Sequence, residues 1–266
     1  MNIPLRHTWK VSPREATQIQ EELRKNLVFE GSGTSWKRIG AGDVAYSPAD
    51  DRIYAAFLVF SFPDLALLEN VSAQGRVSFP YIPSLFAFRE APILLKAFSR
   101  LKTKPDLVLV DGQGIAHPRS MGIASHLGLV LDLPTIGCAK SRLYGAGTEP
   151  APEQGSAAPL MGEGRIVGMI VRTRRGVKPV YVSPGHKMDL ENSVRIVLSL
   201  GRGYRIPEPL RQAHILVNQL RERSQNSLPV ESPNPAAMSY NIMHSRWTRK
   251  EAKNAEGNSR LLRFTG

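Results

Sequence analysis

The chain has a single cysteine, Cys138, in 266 residues. An intrachain disulfide is therefore excluded, and so is a zinc site built on cysteines. A reducing compartment is the expectation. Long hydrophobic runs are missing too. The most apolar stretches, such as IYAAFLVFSF, are too short to span a bilayer. The first residues, MNIPLRHTWKVSPREATQ, hold no apolar core of the kind a secretory signal carries. A soluble, cytoplasmic protein with no membrane partner is expected. Acids are scarce beside bases, 23 against 35, which leaves a net charge of +12. Such a chain favours a polyanion, and nucleic acid is the commonest one, with a solubilising charge or a basic tail as the plainer alternative. Several catalytic signatures are absent: there is no Walker phosphate loop and no G-x-S-x-G elbow, and GEGRIVG does not make a dinucleotide fingerprint. No internal repeat is present.

What is there is enough for a large core, since 42% of the residues are hydrophobic. PREATQIQEELRKNL predicts a helix with Ile19, Leu23 and Leu27 on one face. KRIGAGDVAYS, RIYAAFLVFSF and LALLENVSAQGRV predict three strands, and the short turns between them predict an antiparallel meander. SLFAFREAPILLKAFSRLKTK predicts a helix, with Pro92 near its start where proline is tolerated. DLVLVDG has the pattern of a buried strand meeting its carboxyl-end loop. HPRSMGIASHLGLVLD predicts a helix and LPTIGCAK another buried strand. This alternation argues for an α/β fold with a mixed sheet. Residues 145–165 are expected as a loop. RIVGMIVRTR and KPVYVSPG predict a strand pair around RRGV, and MDLENSVRIVLSLG and PEPLRQAHILVNQLRERS predict two more helices. From about Gln225 the pattern is lost, and a flexible basic tail is expected.

Two aspartates stand out. Asp43 lies inside the first strand, and Asp111 ends the most apolar one. Aspartate is disfavoured in strand interiors and costly to bury unpaired. If the two strands pair, mutual repulsion raises one pKa unless a cation lies between the acids. An oxygen-only site of this kind suits Mg2+ or Mn2+. A capped turn or an ion pair remains the alternative for each acid alone. Glu90, within LFAFREAP, is a third candidate, with a helix-dipole role as its alternative. His117, in the glycine-rich loop after Asp111, is more suggestive than His214, a lone histidine on a late helix. Lys140 closes its strand, facing either a phosphate or solvent. Cys138 reads as a buried structural thiol.

The stretches GDVAYS, PYIPSLFAFREAP, PDLVLVDGQGIAHPRSMGIASHLG, PTIGCAKSRL, YVSPGHKMDLENSV and YRIPEPLRQAH, in that order from Gly42 to His214, resemble the endonuclease V family. The resemblance implies a ribonuclease H-like fold, a mixed sheet flanked by helices, over a catalytic domain at residues 1–224, with residues 225–266 as the tail. It implies that Asp43, Glu90 and Asp111 bind Mg2+, with Mn2+ able to substitute, and that His214 and Lys140 complete the catalytic set. It implies DNA cleavage at the second phosphodiester bond 3′ to deoxyinosine, leaving a 3′ hydroxyl and a 5′ phosphate. The PYIP loop is then a wedge whose Tyr81 fills the space left by a displaced base, with Pro83 stiffening it. Ser84, Gly112, Gly114 and His117 lie about the lesion pocket. Ser84 departs from the family's usual glycine, which leaves the lesion range open. A ribonuclease cutting at inosine in RNA, a non-cutting lesion-binding module, and a nuclease for junctions or RNA–DNA hybrids are the alternatives, and a monomer is expected.

Overall fold

Runs of β-branched and aromatic residues between short polar turns build the first half of the sheet. β1 (Arg38–Tyr46), β2 (Arg52–Ser61) and β3 (Leu67–Arg76) form the expected antiparallel meander. The structure, a computed structural model, describes residues 7–30 and 36–226. The tail beyond them, and most of the expected 225–266 segment with it, lies outside the described residues. β4 (Leu107–Val110) and β5 (Thr135–Ala139) continue the sheet as parallel strands beside β1. β6 (Ala157–Gly162), β7 (Arg165–Val171) and β8 (Val180–Pro184) close it in antiparallel sense. The order is β3-β2-β1-β4-β5-β8-β7-β6, one mixed and mostly antiparallel sheet of eight strands.

Helices cover both faces. α2 (Phe86–Phe98) and α3 (Ile123–Leu131) pack on one face against Ile53, Phe57, Val59, Val108 and Val110. α4 (Leu190–Ser199) and α5 (Glu208–Asn226) pack on the other, against Ile39, Ala41, Leu107, Leu109 and Val182. The period-2 alternation of a strand decides which side chain meets which layer. On β1, Ile39, Ala41 and Ala45 face the α4–α5 layer, while Val44 and Tyr46 face α2. α1 (Pro13–Leu23) starts on a capping box: the Glu15 N–H donates to the Ser12 hydroxyl at 3.3 Å, and the Ser12 N–H donates to the Glu15 carboxylate at 2.7 Å. Phe57, fully buried, meets Phe98 edge to face at 5.2 Å; truncating it to alanine costs about 3–5 kcal/mol.

Three expectations need correction. Pro92 is not near the start of its helix but inside α2, seven residues in. It removes the N–H that would bond the Phe88 carbonyl, and burial of Phe88, Ala91, Leu94 and Leu95 on the sheet overrides that loss. The helix expected from His117 begins only at Ile123. Ser120 takes φ 55°, which no helix accepts, and the Gly122 N–H is spent on the Gly114 carbonyl. Residues 145–165 are not all loop, since β6 lies among them. AAPLMG is weak in strand formers, but an edge position asks little of it, and Pro159 is tolerated there.

Candidate active site

Asp43 and Asp111 come together because β1 and β4 run parallel with Gly42 opposite Val110. Asp43 follows the last β1 residue that pairs with β4 and itself pairs with Ala56 of β2, and Asp111 directly follows β4. By the strand alternation, Asp43 projects toward α5. There its Oδ2 lies 2.7 Å from Nδ1 of His214. Its Oδ1 accepts the Val44 N–H at 2.8 Å. Asp111 receives the Lys140 ammonium, from the end of β5, at 2.5 Å. Glu90 arrives from the opposite layer on α2. It is 7% exposed, and its Oε1 accepts the Tyr46 hydroxyl at 2.9 Å.

Burial and neighbouring charge shift Asp43, Glu90 and Lys140 from their ordinary values. Burial, followed by the charge of Asp111, raises the Asp43 carboxyl above its ordinary value. Burial pushes Glu90 up to about 8, and Asp43 and Asp111 add to the rise, against the Tyr46 hydrogen bond and the charge of Arg89. Burial alone would lower Lys140, but Asp111 and Asp43 together hold its ammonium above the ordinary range. Among the described residues no group of three or more histidine, cysteine, aspartate or glutamate side chains is placed to hold a metal ion. Each acid instead leans on its own protein partner. The donor set still fits a hard divalent cation: it is all oxygen, its negative charges oppose one another, and its one close ammonium is on Asp111.

The loop before α2 borders this cluster in sequence. Tyr81 is 45% exposed and packs edge-on to Phe86 at 5.8 Å. Pro83 is also exposed. Ser84 takes a left-handed φ of 68°. His117 is buried, and its Nε2 donates to the Ser84 carbonyl at 2.8 Å. Its Nδ1 accepts the Arg119 N–H at 3.1 Å, so the tautomer is fixed. Burial lowers the His117 imidazole to about 4, so it is neutral near pH 7. His117 therefore supports the loop from beneath. Gly112 and Gly114 are demanded by packing. A Cβ on Gly112 would meet Ile123 at 2.5 Å, and one on Gly114 would meet the Pro184 carbonyl oxygen at 2.0 Å.

Four residues of the site escaped the sequence reading. Tyr46 was findable: three positions after Asp43 on the same strand, it faces the other layer, where Glu90 arrives. Asn218, one turn after His214, donates to its carbonyl at 2.7 Å and lies 3.2 Å from its Nε2. Arg119 and Gln20 both hold Ser84, and no local signal marks either.

A mixed sheet with one acid inside β1 where its pairing with β4 ends, a second just after the parallel β4, a third acid from a flanking helix, and a lysine and a histidine against the first two is the framework of a ribonuclease H-like nuclease. The comparisons with known proteins narrow that class. The model of the family Endonuclease V matches residues 21–215. The endonuclease V of Gloeobacter violaceus is 47% identical over 222 residues, 82% of this chain and 90% of that protein. The crystal structure of endonuclease V from Streptomyces avermitilis is 39% identical, with a TM-score of 0.78 over 85% of this chain and all of that one. Endonuclease V of Ciona intestinalis, solved with a 23mer DNA containing an inosine followed by a ribo-adenosine, is 27% identical. Its TM-score is 0.71 over 80% of this chain and 99% of that one. The chain belongs to the endonuclease V family, and it is an endonuclease. Among the described residues no helix is long and apolar enough to cross a membrane.

Proposed function

We propose that the chain is a divalent-metal-dependent endonuclease of DNA repair that cuts the second phosphodiester bond 3′ to deoxyinosine, leaving a 3′ hydroxyl and a 5′ phosphate. The observation that carries this reading is the meeting of Asp43 on β1 with Asp111 after the parallel β4, where His214 lies 2.7 Å from Asp43 and the Lys140 ammonium reaches Asp111. The inosine-containing DNA in the Ciona complex supports the substrate class.

Asp43, Glu90 and Asp111 would hold Mg2+, with Mn2+ able to substitute. A divalent cation bound there supplies water acidity and neutralises charge on the phosphate. The chain's own groups do the rest. The His214 Nδ1–H donates to Asp43, which makes Nε2 the accepting nitrogen; it lies 3.2 Å from the Asn218 amide and would exchange that contact to take a proton from an attacking water. Lys140 brings a positive charge to phosphate oxygens beside Asp111. Tyr46 fixes the Glu90 carboxyl through its hydroxyl, so the acid meets the site in one rotamer. Tyr81 would fill the space left by an extruded base, an extrusion that costs a few kcal/mol and least where pairing is already weak. Pro83 and Ser84 hold the loop's shape, with His117, Gly112 and Gly114 building its floor. The net charge of +12 draws the backbone in without regard to sequence.

The test is nicking of a duplex bearing one deoxyinosine, with magnesium, by the wild type and Asp43→Ala. A nick one nucleotide beyond the lesion's 3′ neighbouring bond, lost in the variant, is the expected result. Lesion binding without a nick in the wild type would overturn it. A second reading, cleavage at inosine in single-stranded RNA, is favoured by the ribonucleotide that follows inosine in the Ciona substrate. Parallel assays on inosine-containing DNA and RNA separate the two.

A further inference from the structure

The loop bearing Tyr81 turns into α2 through Ile82–Leu85. Pro83 is second in this turn and Ser84 third, and the Leu85 N–H donates to the Ile82 carbonyl at 3.0 Å. A proline followed by a positive φ is the pattern of a type II turn, whose third position suits glycine. Serine at φ 68° carries a Cβ that this conformation disfavours. The surroundings explain how it persists. The Ser84 carbonyl accepts from His117 Nε2 at 2.8 Å, Gln20 Nε2 at 3.0 Å and Arg119 Nη2 at 3.1 Å. Arg119 Nη2 also donates to the Ser84 hydroxyl at 2.8 Å, and its Nε donates to Gln20 Oε1 at 2.6 Å. Gln20 is fully buried and also donates to the Met121 carbonyl at 3.2 Å. One peptide of the loop is thus fixed by α1 and by the segment after β4 together.

We propose that Arg119 and Gln20 are positioning residues for substrate recognition: they hold Ser84 in its left-handed conformation, fix its hydroxyl on Arg119, and so present Tyr81 to a duplex carrying a damaged base. This rests on the substrate reading above. Arg119 recognises no base. It supplies by side-chain hydrogen bonds the backbone constraint that glycine at this position meets without help. Loss of the clamp loosens the loop before binding, so it weakens substrate capture and spares the acids that cut. Lysine cannot replace Arg119, because one ammonium cannot serve Gln20 and both Ser84 oxygens with the guanidinium's fixed fork.

The experiment uses the full chain as wild type, Arg119→Ala, Arg119→Lys, Ser84→Gly and the double variant Ser84→Gly/Arg119→Ala. Cutting of a duplex with one deoxyinosine is followed at sub-saturating and saturating enzyme. Arg119→Ala and Arg119→Lys are each expected to raise the half-saturating concentration about tenfold while the saturated single-turnover rate stays within about threefold. In the Ser84→Gly background the same Arg119→Ala change is expected to raise it less than about threefold. An equal loss in both backgrounds, or no loss in either, overturns the proposal. Should Arg119→Ala fail to fold, Arg119→Lys carries the same expectation. Hydrogen exchange at the Leu85 amide reads the turn without any substrate. Its protection is expected to fall in Arg119→Ala and to recover in the double variant, and unchanged protection overturns the clamp. If the wild type does not select the deoxyinosine duplex, the substrate reading fails on its own, and the exchange result still judges the clamp.

Discussion

Replacing Glu90 by glutamine keeps the shape of the side chain and removes its charge. In the metal-free chain the carboxyl titrates at about 8 against an ordinary value of 4.5, because it is buried and faces Asp43 and Asp111. The sign follows from linkage. Below pH 4.5 both folded and unfolded forms are protonated, and Glu90 contributes nothing to the pH dependence. Between 4.5 and about 8 only the unfolded form releases its proton, so stability falls as pH rises. Above about 8 the penalty is constant. At about 1.36 kcal/mol per pH unit, the full window converts to an upper bound of about 5 kcal/mol. Water entry and the Tyr46 hydrogen bond lower it, and about 2–4 kcal/mol is expected. The Tyr46 hydroxyl can still donate to the amide oxygen, so the variant keeps that contact. Thermal unfolding with a chelator present, from pH 5 to pH 9, is the assay. Glu90→Gln should match or trail the wild type at pH 5 and exceed it at pH 9, by several degrees at about 2–4 °C per kcal/mol. Added magnesium should raise the wild type at pH 9 more than the variant, which keeps Asp43 and Asp111 but lacks the third carboxylate. Parallel melting curves for the two proteins across this range would refute the claim that a buried, charge-coupled carboxyl is held here.

Tyr81→Ala should leave the melting temperature within about 2 °C, since the ring is 45% exposed, and should cut the preference for a deoxyinosine duplex over a matched duplex about tenfold in competition assays. Lys140→Met removes the ammonium 2.5 Å from Asp111. Its saturated cutting rate should drop about a hundredfold, while half-maximal activity should need less magnesium because the acids lose their competing cation. Gly114→Ala should destabilise the fold by about 3 kcal/mol or more, read by urea unfolding, because its Cβ would lie 2.0 Å from the Pro184 carbonyl oxygen and 2.8 Å from that of Ser183, both rigid backbone.

Much of the sheet was legible because its strands are continuous apolar runs with clear turns between them. β2, with eight successive buried residues, is the plainest case. The pairing of Asp43 with Asp111 was conditional on two strands being neighbours. Sequence spacing cannot supply that adjacency, which depends on β4 inserting between β1 and β5. His214 looked like an ordinary helix histidine because its partner, Asp43, is 171 positions away. β6 was read as loop because its residues carry almost no strand propensity and edge pairing alone holds it. The late start of α3 had a cue, Pro118, but its cause is the positive φ of Ser120 and tertiary bonding of the Gly122 amide. Ser84 was marked as a departure, yet its consequence was hidden, since Gln20 and Arg119 belong to other segments.

α5 is the last described element of the chain, and it delivers His214 to an aspartate on the first strand. Its Leu210, Ala213 and Val217 bury against Ile39, Ala41 and Leu109, and its far end is tied down where the Tyr54 hydroxyl meets Ser224 at 2.8 Å. During synthesis the three acids therefore emerge from the ribosome long before their histidine. A chain stalled short of Glu208 has the acids without the histidine beside Asp43, and leaves Ile39, Ala41 and Leu109 without the α5 residues that cover them. The fold thus completes this cluster last: the contact between His214 and Asp43, and the cover over that face of the sheet, form only once α5 is made.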